Sequence, residues 1–404
     1  MNVLMLCHRL PYPPVKGEKI RALHHLRALS RRHAVTLVTL ADEPDYERDR
    51  DAVSAIVKEV EVVPIAPRLA KLASLKALWR RRPMTLDYFF AAAFRDRVAQ
   101  LLSGRRWDVI FVYCSAMAQY VEQVHRVPVV IDFVDLDSQK YAQYARRRSP
   151  MAPLYRLEAR RLEAYERRIA HHSRLNIVVS PAEAARFREL IPGVRPQVLP
   201  LVVDTEYFAP PSPATPAGRP TIVFTGVMDY VPNVDAVQYF AEQVFPRIRA
   251  ASGARFVIVG QRPSGAVRRL ARRDGIEVTG RVPDVRTYLA QAHVAVAPLR
   301  IAQGMQTKVL EAMAMRLPVV VTSKAYEGLH AEPGRDLIVE DSPDAFAGAI
   351  TRLLDDAALR ASIGAAARGF VESAHSVETG AEQLERLLIA ATGAETATLA
   401  GAPA

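Results

Sequence analysis

Apolar residues come along this chain in short, nearly unbroken runs, separated by longer stretches where they recur every three or four positions. The pattern predicts strands at 2–6, 35–40, 60–64, 109–113, 127–131 and 176–179. Such continuous Val, Ile and Leu content suits a parallel sheet covered on both faces. Helical spacing fills the gaps, most clearly over 18–33 and 138–172. A further helix is predicted to start at Ser180-Pro181-Ala182-Glu183, with a capping Ser, Pro at the first helical position and Glu at the third.

The pattern then pauses. Phe208 to Pro220 holds five prolines and little else that is apolar, as an inter-domain linker would. Strand-like runs resume at 221–225, 255–259, 276–279, 294–297 and 318–321, and helical spacing closes the chain at 344–354, 359–371 and 382–389. The prediction is therefore an α/β chain with two doubly wound, Rossmann-like domains. The first covers 1–207, the linker 208–220, and the second 221–375. A helix over 376–390 is expected to pack back on the first domain, and the small and polar residues 391–404 to be a disordered tail. Open sheets of this kind bind ligands at the carboxyl ends of their strands, so a ligand cleft between the domains is expected.

Charge sharpens this division. Of 404 residues, 54 are Lys or Arg and 43 are Asp or Glu, for a net charge of +11. Met1 to Pro200 carries 34 basic and 21 acidic residues, and Leu201 to Ala404 carries 20 and 22. The excess lies wholly in the first half, which asks for an anionic partner. Cys7 and Cys114 are too few for a disulfide framework or a cysteine zinc site and suit buried, reduced thiols. No apolar run has the ~18 residues of a membrane-spanning helix. Pro11, Pro13 and Pro14 follow the first apolar run with no cleavage-site pattern, so a cytoplasmic protein is expected.

Two segments carry candidate chemistry. The first predicted strand runs into Pro11-Tyr12-Pro13-Pro14-Val15-Lys16-Gly17-Glu18, where Gly17 would let a ligand approach the backbone at a helix N-terminus. For that loop alone, a plain strand-to-helix turn is the simpler reading. The second segment, Pro298 to Met315, has a strand end, a loop with Gly304, and a helix starting near Gln306. Lys308 and Glu311 are three apart and share a face of that helix. Lys308 in its first turn suits a phosphate, and Glu311 can accept two hydroxyls of a sugar. For the pair alone, a surface ion pair is the simpler reading.

The flanking residues shift that balance. Glu311-Ala312-Met313-Ala314 with Pro318-Val319-Val320 resembles the end of a motif of the retaining glycosyltransferases of family four, which have the GT-B fold. Leu199 to Phe208, Val223-Phe224-Thr225-Gly226, Phe256-Val257-Ile258-Val259-Gly260, and Gly280-Arg281-Val282 with Asp284 are similar to further segments of that family, in the same order. Arg9-Leu10-Pro11-Tyr12-Pro13-Pro14 with Gly17 and Arg21, Gly226-Val227-Met228, and Pro232-Asn233-Val234-Asp235-Ala236 look like a bacterial subgroup of exopolysaccharide sugar transferases, including those associated with the exosortase sorting system.

The resemblance implies metal-independent transfer of a sugar from a nucleoside diphosphate sugar, with retention of configuration and no cofactor beyond that co-substrate. It assigns donor binding to Gly17, Arg21, Gly226, Asn233, Arg281, Val282, Arg300, Gln303, Gly304, Thr307, Lys308 and Glu311, and the acceptor side to Tyr12, Asp135 and Asp137. Lys308, Glu311 and Asp135 are the catalytic candidates. The chain also departs from the family. Gln303 stands where the first Glu of the motif is expected, and Val227 and Pro232 stand where two diphosphate-holding cations usually lie. Lys308 is the substitute, helped by Arg21 or Arg300. Asp135-Leu136-Asp137 has the spacing of a metal motif but falls in the first domain, where an acceptor contact, a base or a helix cap fits better.

Two arginine-rich stretches hold much of the positive charge. Arg68 to Arg82 has six basic residues, no acidic ones, and Leu69, Leu72, Leu75, Leu78 and Trp79 at helical spacing. Arg68, Lys71, Lys76, Trp79, Arg80, Arg81 and Arg82 are thus candidates for an anionic membrane surface, which suits a lipid-linked or glycan acceptor and a peripheral place on the inner face of the cell membrane. The alternative is that the Leu face packs on the domain. Arg146 to Arg168 mixes eight arginines with three glutamates and reads as a long solvated helix. A nucleic-acid binder would use the same charge, but no zinc-finger, basic-zipper or RNA-binding pattern is present. A dinucleotide oxidoreductase lacks its Gly-x-Gly-x-x-Gly. A sugar-nucleotide epimerase of the same fold remains the other enzymatic reading.

Overall fold

The computed structural model describes residues 1–14, 17–43, 46–74, 81–146, 149–210, 218–301 and 304–393. The chain forms two compact units. One holds Met1–Pro200 and Gly380–Ala404, the other Leu201–Thr379.

Unit 1 is built on seven strands: β1 (Asn2–Cys7), β2 (Ala34–Ala41), β3 (Glu59–Pro64), β4 (Val109–Tyr113), β5 (Val129–Val134), β6 (Leu175–Val178) and β7 (Gln197–Val198). They pair in parallel in the order β3-β2-β1-β4-β5-β6-β7, the doubly wound order. Alternation along β1 explains its unbroken apolar sequence. Leu4 and Leu6 enter a core with the helices Ala92–Gly104 and Ala152–His172, while Val3, Met5 and Cys7 enter another with the helix Gly17–Ser30. With helices on both faces, no position of the strand can be polar without cost. The second of these cores also takes Leu384, Leu388 and Ala391 from the last helix, Val377–Thr392.

Unit 2 repeats the plan with β8 (Thr221–Thr225), β9 (Arg255–Val259), β10 (Ile276–Gly280), β11 (Val294–Ala297), β12 (Val319–Val321) and β13 (Ile338–Val339), all parallel, in the order β10-β9-β8-β11-β12-β13. Gly260 shows how tightly the strand ends of this sheet are packed. A Cβ there would lie 1.6 Å from the Gly226 carbonyl oxygen, so only glycine fits.

Several boundaries differ from the sequence expectation. The units divide after Pro200 rather than at 207, because Val203 donates its N–H to the His375 carbonyl at 2.8 Å and Arg368 reaches the carbonyls of Thr205 and Phe208. Residues 211–217 of the linker lie outside the described residues. The final helix continues to Thr392 and buries Ala391, so the first residues of the expected tail are helical, and residues 394–404 lie outside the described residues. The single helix expected over 138–172 is two, Asp137–Arg146 and Ala152–His172. Pro150 and Pro153 flank the restart, where proline denies an interior helix its N–H. Of the basic helix expected through Arg82, the stretch Pro67–Ser74 is helical, residues 75–80 lie outside the described residues, and Arg81 (φ 53°) and Arg82 form a turn before the helix Met84–Tyr88. Lys76, Trp79 and Arg80 lie outside the described residues.

The arginine-rich helix Ala152–His172 is not simply solvated. Glu158 and Glu166 on it are each 1% exposed. Glu158 accepts from the backbone N–H groups of Met84 (2.7 Å) and Thr85 (2.8 Å). Glu166 accepts from the Ser138 N–H (3.1 Å) and hydroxyl (2.5 Å). Each carboxyl group accepts from donors left free at the start of another helix.

Candidate active site

In unit 2, the candidate chemistry gathers where β8 and β11 end. β11 leads through Pro298 and a loop whose Gly304 has φ 61°, and the helix Thr307–Ala314 follows. Gln306 Nε2 donates to the Gly304 carbonyl at 3.1 Å, closing the turn before that helix. Lys308 lies in its first turn, with Nζ donating to Asn233 Oδ1 and sitting 4.5 Å from the centre of the Phe224 ring. Asn233 is fixed in turn, since its Nδ2 donates to the Val227 carbonyl at 2.9 Å. A Cβ on Gly226 would come within 2.7 Å of Asn233 Nδ2 and 3.2 Å of Lys308 Nζ, so the glycine clears room for both side chains.

Lys308 and Glu311 keep partial contact with solvent, yet the protein around them disfavours charge on either. Desolvation lowers the Lys308 ammonium to about 7, opposed by Glu311. Desolvation likewise raises the Glu311 carboxyl to about 7, opposed by Lys308. A cation that loses hydration in this way gains most from an incoming anion.

The other donor-side residues are arranged less uniformly. Thr307 opens the helix of Lys308, Arg281 is exposed just past β10, and Val282 packs against the core of unit 2. Arg300 is held by both oxygens of Asp235, at 2.5 and 3.0 Å, and lies over the Tyr239 ring. Gln303 lies outside the described residues.

Arg21 corrects the sequence expectation. It is 4% exposed, with Nε donating to Asp132 Oδ2 at 2.9 Å and its terminal nitrogens to the carbonyls of Leu199 and Pro200 at 3.0 Å. A diphosphate has no access to a guanidinium so enclosed, and its place in the donor set is withdrawn. Asp132 also accepts from His25 Nε2 at 3.0 Å and from the Val134 N–H at 2.9 Å. Burial alone would raise its carboxyl, but Arg21 and His25 hold it down to about 2.

On the acceptor side, Val134 takes φ 62°, a conformation a β-branched residue adopts only under constraint. That turn brings Asp135 to the surface directly after β5. Its surroundings still desolvate the carboxyl, and with Glu183 and Asp137 they raise it to about 6. Asp137 starts the next helix and pairs with Lys140 at 3.6 Å. Tyr12 is half-buried. Gly17 is the first residue of its helix and exposed, and among the described residues nothing lies within 4 Å of a Cβ placed there. Among the described residues no three His, Cys, Asp or Glu side chains gather as metal ligands.

Cys7 is buried and Cys114 only partly so, a correction to the expectation of two buried thiols. Sequence reasoning missed Asp132, although a lone carboxylate inside Val-Val-Ile-Asp-Phe-Val was a visible signal. It also missed Glu166, which no local pattern separates from the exposed charges around it.

Two family models match the chain. Residues 16–201 match the one described as "Glycosyl transferase 4-like domain", and residues 219–356 the one described as "Glycosyl transferases group 1". Among solved structures the chain is similar to sucrose-phosphate synthase from Thermosynechococcus elongatus, at 17% identity and TM-score 0.69 over 98% of this chain and 100% of that one. It is also similar to Anabaena HepE, solved in complex with UDP, at 16% identity and TM-score 0.67 over 96% of this chain and 100% of that one. The fold is thus α/β of the GT-B class, and the sequence is of the GT4 glycosyltransferase type. A curated relative from Corynebacterium glutamicum, named a GDP-mannose-dependent monoacylated alpha-(1-6)-phosphatidylinositol monomannoside mannosyltransferase, is 30% identical over 209 residues. That match covers 47% of this chain and 55% of the relative, so the chain spans about half the length of that protein.

Proposed function

We propose that this protein is a retaining, metal-independent glycosyltransferase that moves a sugar from a nucleoside diphosphate sugar to a lipid-linked glycan acceptor in exopolysaccharide biosynthesis. The observation that carries this reading is the cluster of Lys308, Asn233 and Glu311 at the strand ends of unit 2. Lys308 is a partly desolvated cation held in place by Asn233, suited to the charge that grows on a departing diphosphate. Glu311, one helical turn on, suits the hydroxyls of the donor sugar. On unit 1, Asp135 with its carboxyl near 6 suits contact with, and proton removal from, an acceptor hydroxyl.

The lipid-linked acceptor is supported by the name of the Corynebacterium relative and by the basic, amphipathic helix Pro67–Ser74. There Leu69 is 67% exposed between Arg68 and Lys71, rather than packed on the domain. No helix among the described residues is long and apolar enough to cross a membrane. A peripheral seat on the inner face of the cell membrane, with anionic lipid as partner, follows from this reading.

The test is incubation of the protein with labelled UDP- and GDP-sugars, with and without a membrane extract of its source. Label moving into extractable lipid or polymer, with the anomeric configuration kept, supports transfer. Label found only in an epimeric nucleotide sugar would sink the proposal in favour of epimerisation.

A further inference from the structure

The turn before Met84 and the long helix Ala152–His172 enclose a groove of about 480 Å³ on unit 1. Among the described residues, Arg81, Arg82, Arg160, Arg161 and Arg168 line it, against a single lining carboxylate, Glu122. Arg161 and Arg168 are seven apart on one helix and so share a face. Arg168 donates to Glu122 at 3.1 Å and lies 5.3 Å from the Tyr165 ring centre. Arg161 donates to the Arg82 carbonyl at 3.0 Å, which ties the turn to the helix. Arg82 reaches Gln119 at 3.3 Å and comes no nearer than 3.9 Å to Asp87. Arg81 holds a left-handed backbone, costly for a residue other than glycine.

The floor beneath these groups is apolar, with Leu86 and Tyr165 both buried. A second groove, of about 450 Å³, meets the first at Arg160 and adds Arg146 and Arg156 against Glu163. Five guanidinium groups lining one groove outnumber its carboxylate and concentrate anions. Their paired N–H groups match two oxygens of a phosphate, a geometry that an ammonium lacks. None of these residues belongs to the donor or acceptor set.

We infer that this arginine groove is a binding site for a phosphoanion, separate from the site of sugar transfer. The phosphate comes either from the headgroup of an anionic phospholipid or from a soluble phosphate compound. The inference goes beyond the proposed reaction: its lipid arm rests on the anionic membrane partner of that reading and extends it from Arg81 and Arg82 to the long helix, while its soluble-phosphate arm does not depend on it.

The experiment measures binding of the full chain to inorganic pyrophosphate and to phosphatidylcholine vesicles with and without phosphatidylglycerol. Pyrophosphate is titrated in a Lys308→Ala background, so that the donor half does not contribute. Arg160→Gln with Arg168→Gln is compared with Arg68→Gln with Lys71→Gln. Arg81→Gln, a single change at an exposed turn, serves if the double variant fails to fold by circular dichroism. The groove variants are expected to lose about tenfold or more in affinity. Loss against both probes supports the site with either source, loss against vesicles alone assigns it to a lipid headgroup, and loss against pyrophosphate alone to a soluble phosphate. Unchanged binding of both probes overturns the inference. So does random duplex DNA that displaces the vesicles, since that outcome makes the groove part of a nucleic-acid surface.

Discussion

Lys308 Nζ donates to Asn233 Oδ1, and the amide of Asn233 is itself anchored on the Val227 carbonyl. The cation therefore reaches its position from one helix and is aimed by a residue of another. If Lys308 stabilises the departing diphosphate, Lys308→Ala should lower kcat at least about 100-fold. Asn233→Ala leaves the charge but not its aim, and should cost about tenfold, mostly in kcat. Turnover with nucleotide sugar measures both, and wild-type rates in Lys308→Ala would end the assignment.

The same lysine predicts a proton signature. Desolvation lowers the free Lys308 to about 7, and a bound diphosphate raises it by placing negative charge nearby. Between these two pKa values the complex holds a proton that the free protein lacks. Binding of UDP or GDP at about pH 8 should take up protons and weaken as pH rises further. Titration calorimetry in buffers of different ionisation enthalpy reads the uptake directly. No uptake, with binding intact, would show that Lys308 does not meet the diphosphate.

Gly260→Ala tests the packing under this site. Its methyl group would enter the Gly226 carbonyl, which is backbone and cannot turn aside as a side chain would. A loss of at least about 3 kcal/mol in chemical denaturation is expected. Donor binding should fall with it, because Gly226 borders both Asn233 and Lys308. A stable variant with normal donor binding would contradict this packing.

The sheets were legible in the sequence because burial on both faces leaves each central strand continuously apolar. Val3, Met5 and Cys7 face one core, and Leu4 and Leu6 the other. The two-residue strands Gln197–Val198 and Ile338–Val339 escaped notice because so short a run has no period. Lys308 and Glu311 were legible because three positions on a helix is a local relation. Arg21 was misplaced because its role is set by Asp132, 111 positions away. Glu158 and Glu166 were misjudged for the same reason, since the helix starts they serve lie 74 and 28 positions distant.

Breaking the Arg21–Asp132 pair should destabilise unit 1 strongly. Arg21→Ala leaves a buried carboxylate with His25 as its remaining side-chain partner, a type of loss worth about 3–5 kcal/mol. It also frees the carbonyls of Leu199 and Pro200, at the end of the first stretch of unit 1. The Asp132 carboxyl, near 2 when folded, lies below the ~3.9 of an unfolded aspartate. Its contribution is present above about pH 4 and is lost as pH falls through about 2. Urea denaturation at neutral pH checks the size of the effect, and a midpoint equal to wild type would refute it.

Glu166 predicts a dependence of the opposite sign. Burial raises its carboxyl to about 8, against the favourable bonds from Ser138, while an unfolded glutamate titrates near ~4.3. Between those values the folded chain holds a proton that the unfolded chain has released. The stability this group contributes is therefore full below about pH 4.3 and is lost as pH rises through about 8. Glu166→Gln removes the titration and keeps an oxygen to accept the Ser138 N–H. Between about pH 5 and about pH 9, the Tm of the wild type should decline more steeply than that of Glu166→Gln. Because Glu166 meets the start of the helix that carries Asp137, ionisation at high pH strengthens charge repulsion there rather than relieving it. Parallel Tm profiles across that range would mean that Glu166 does not titrate between the two states.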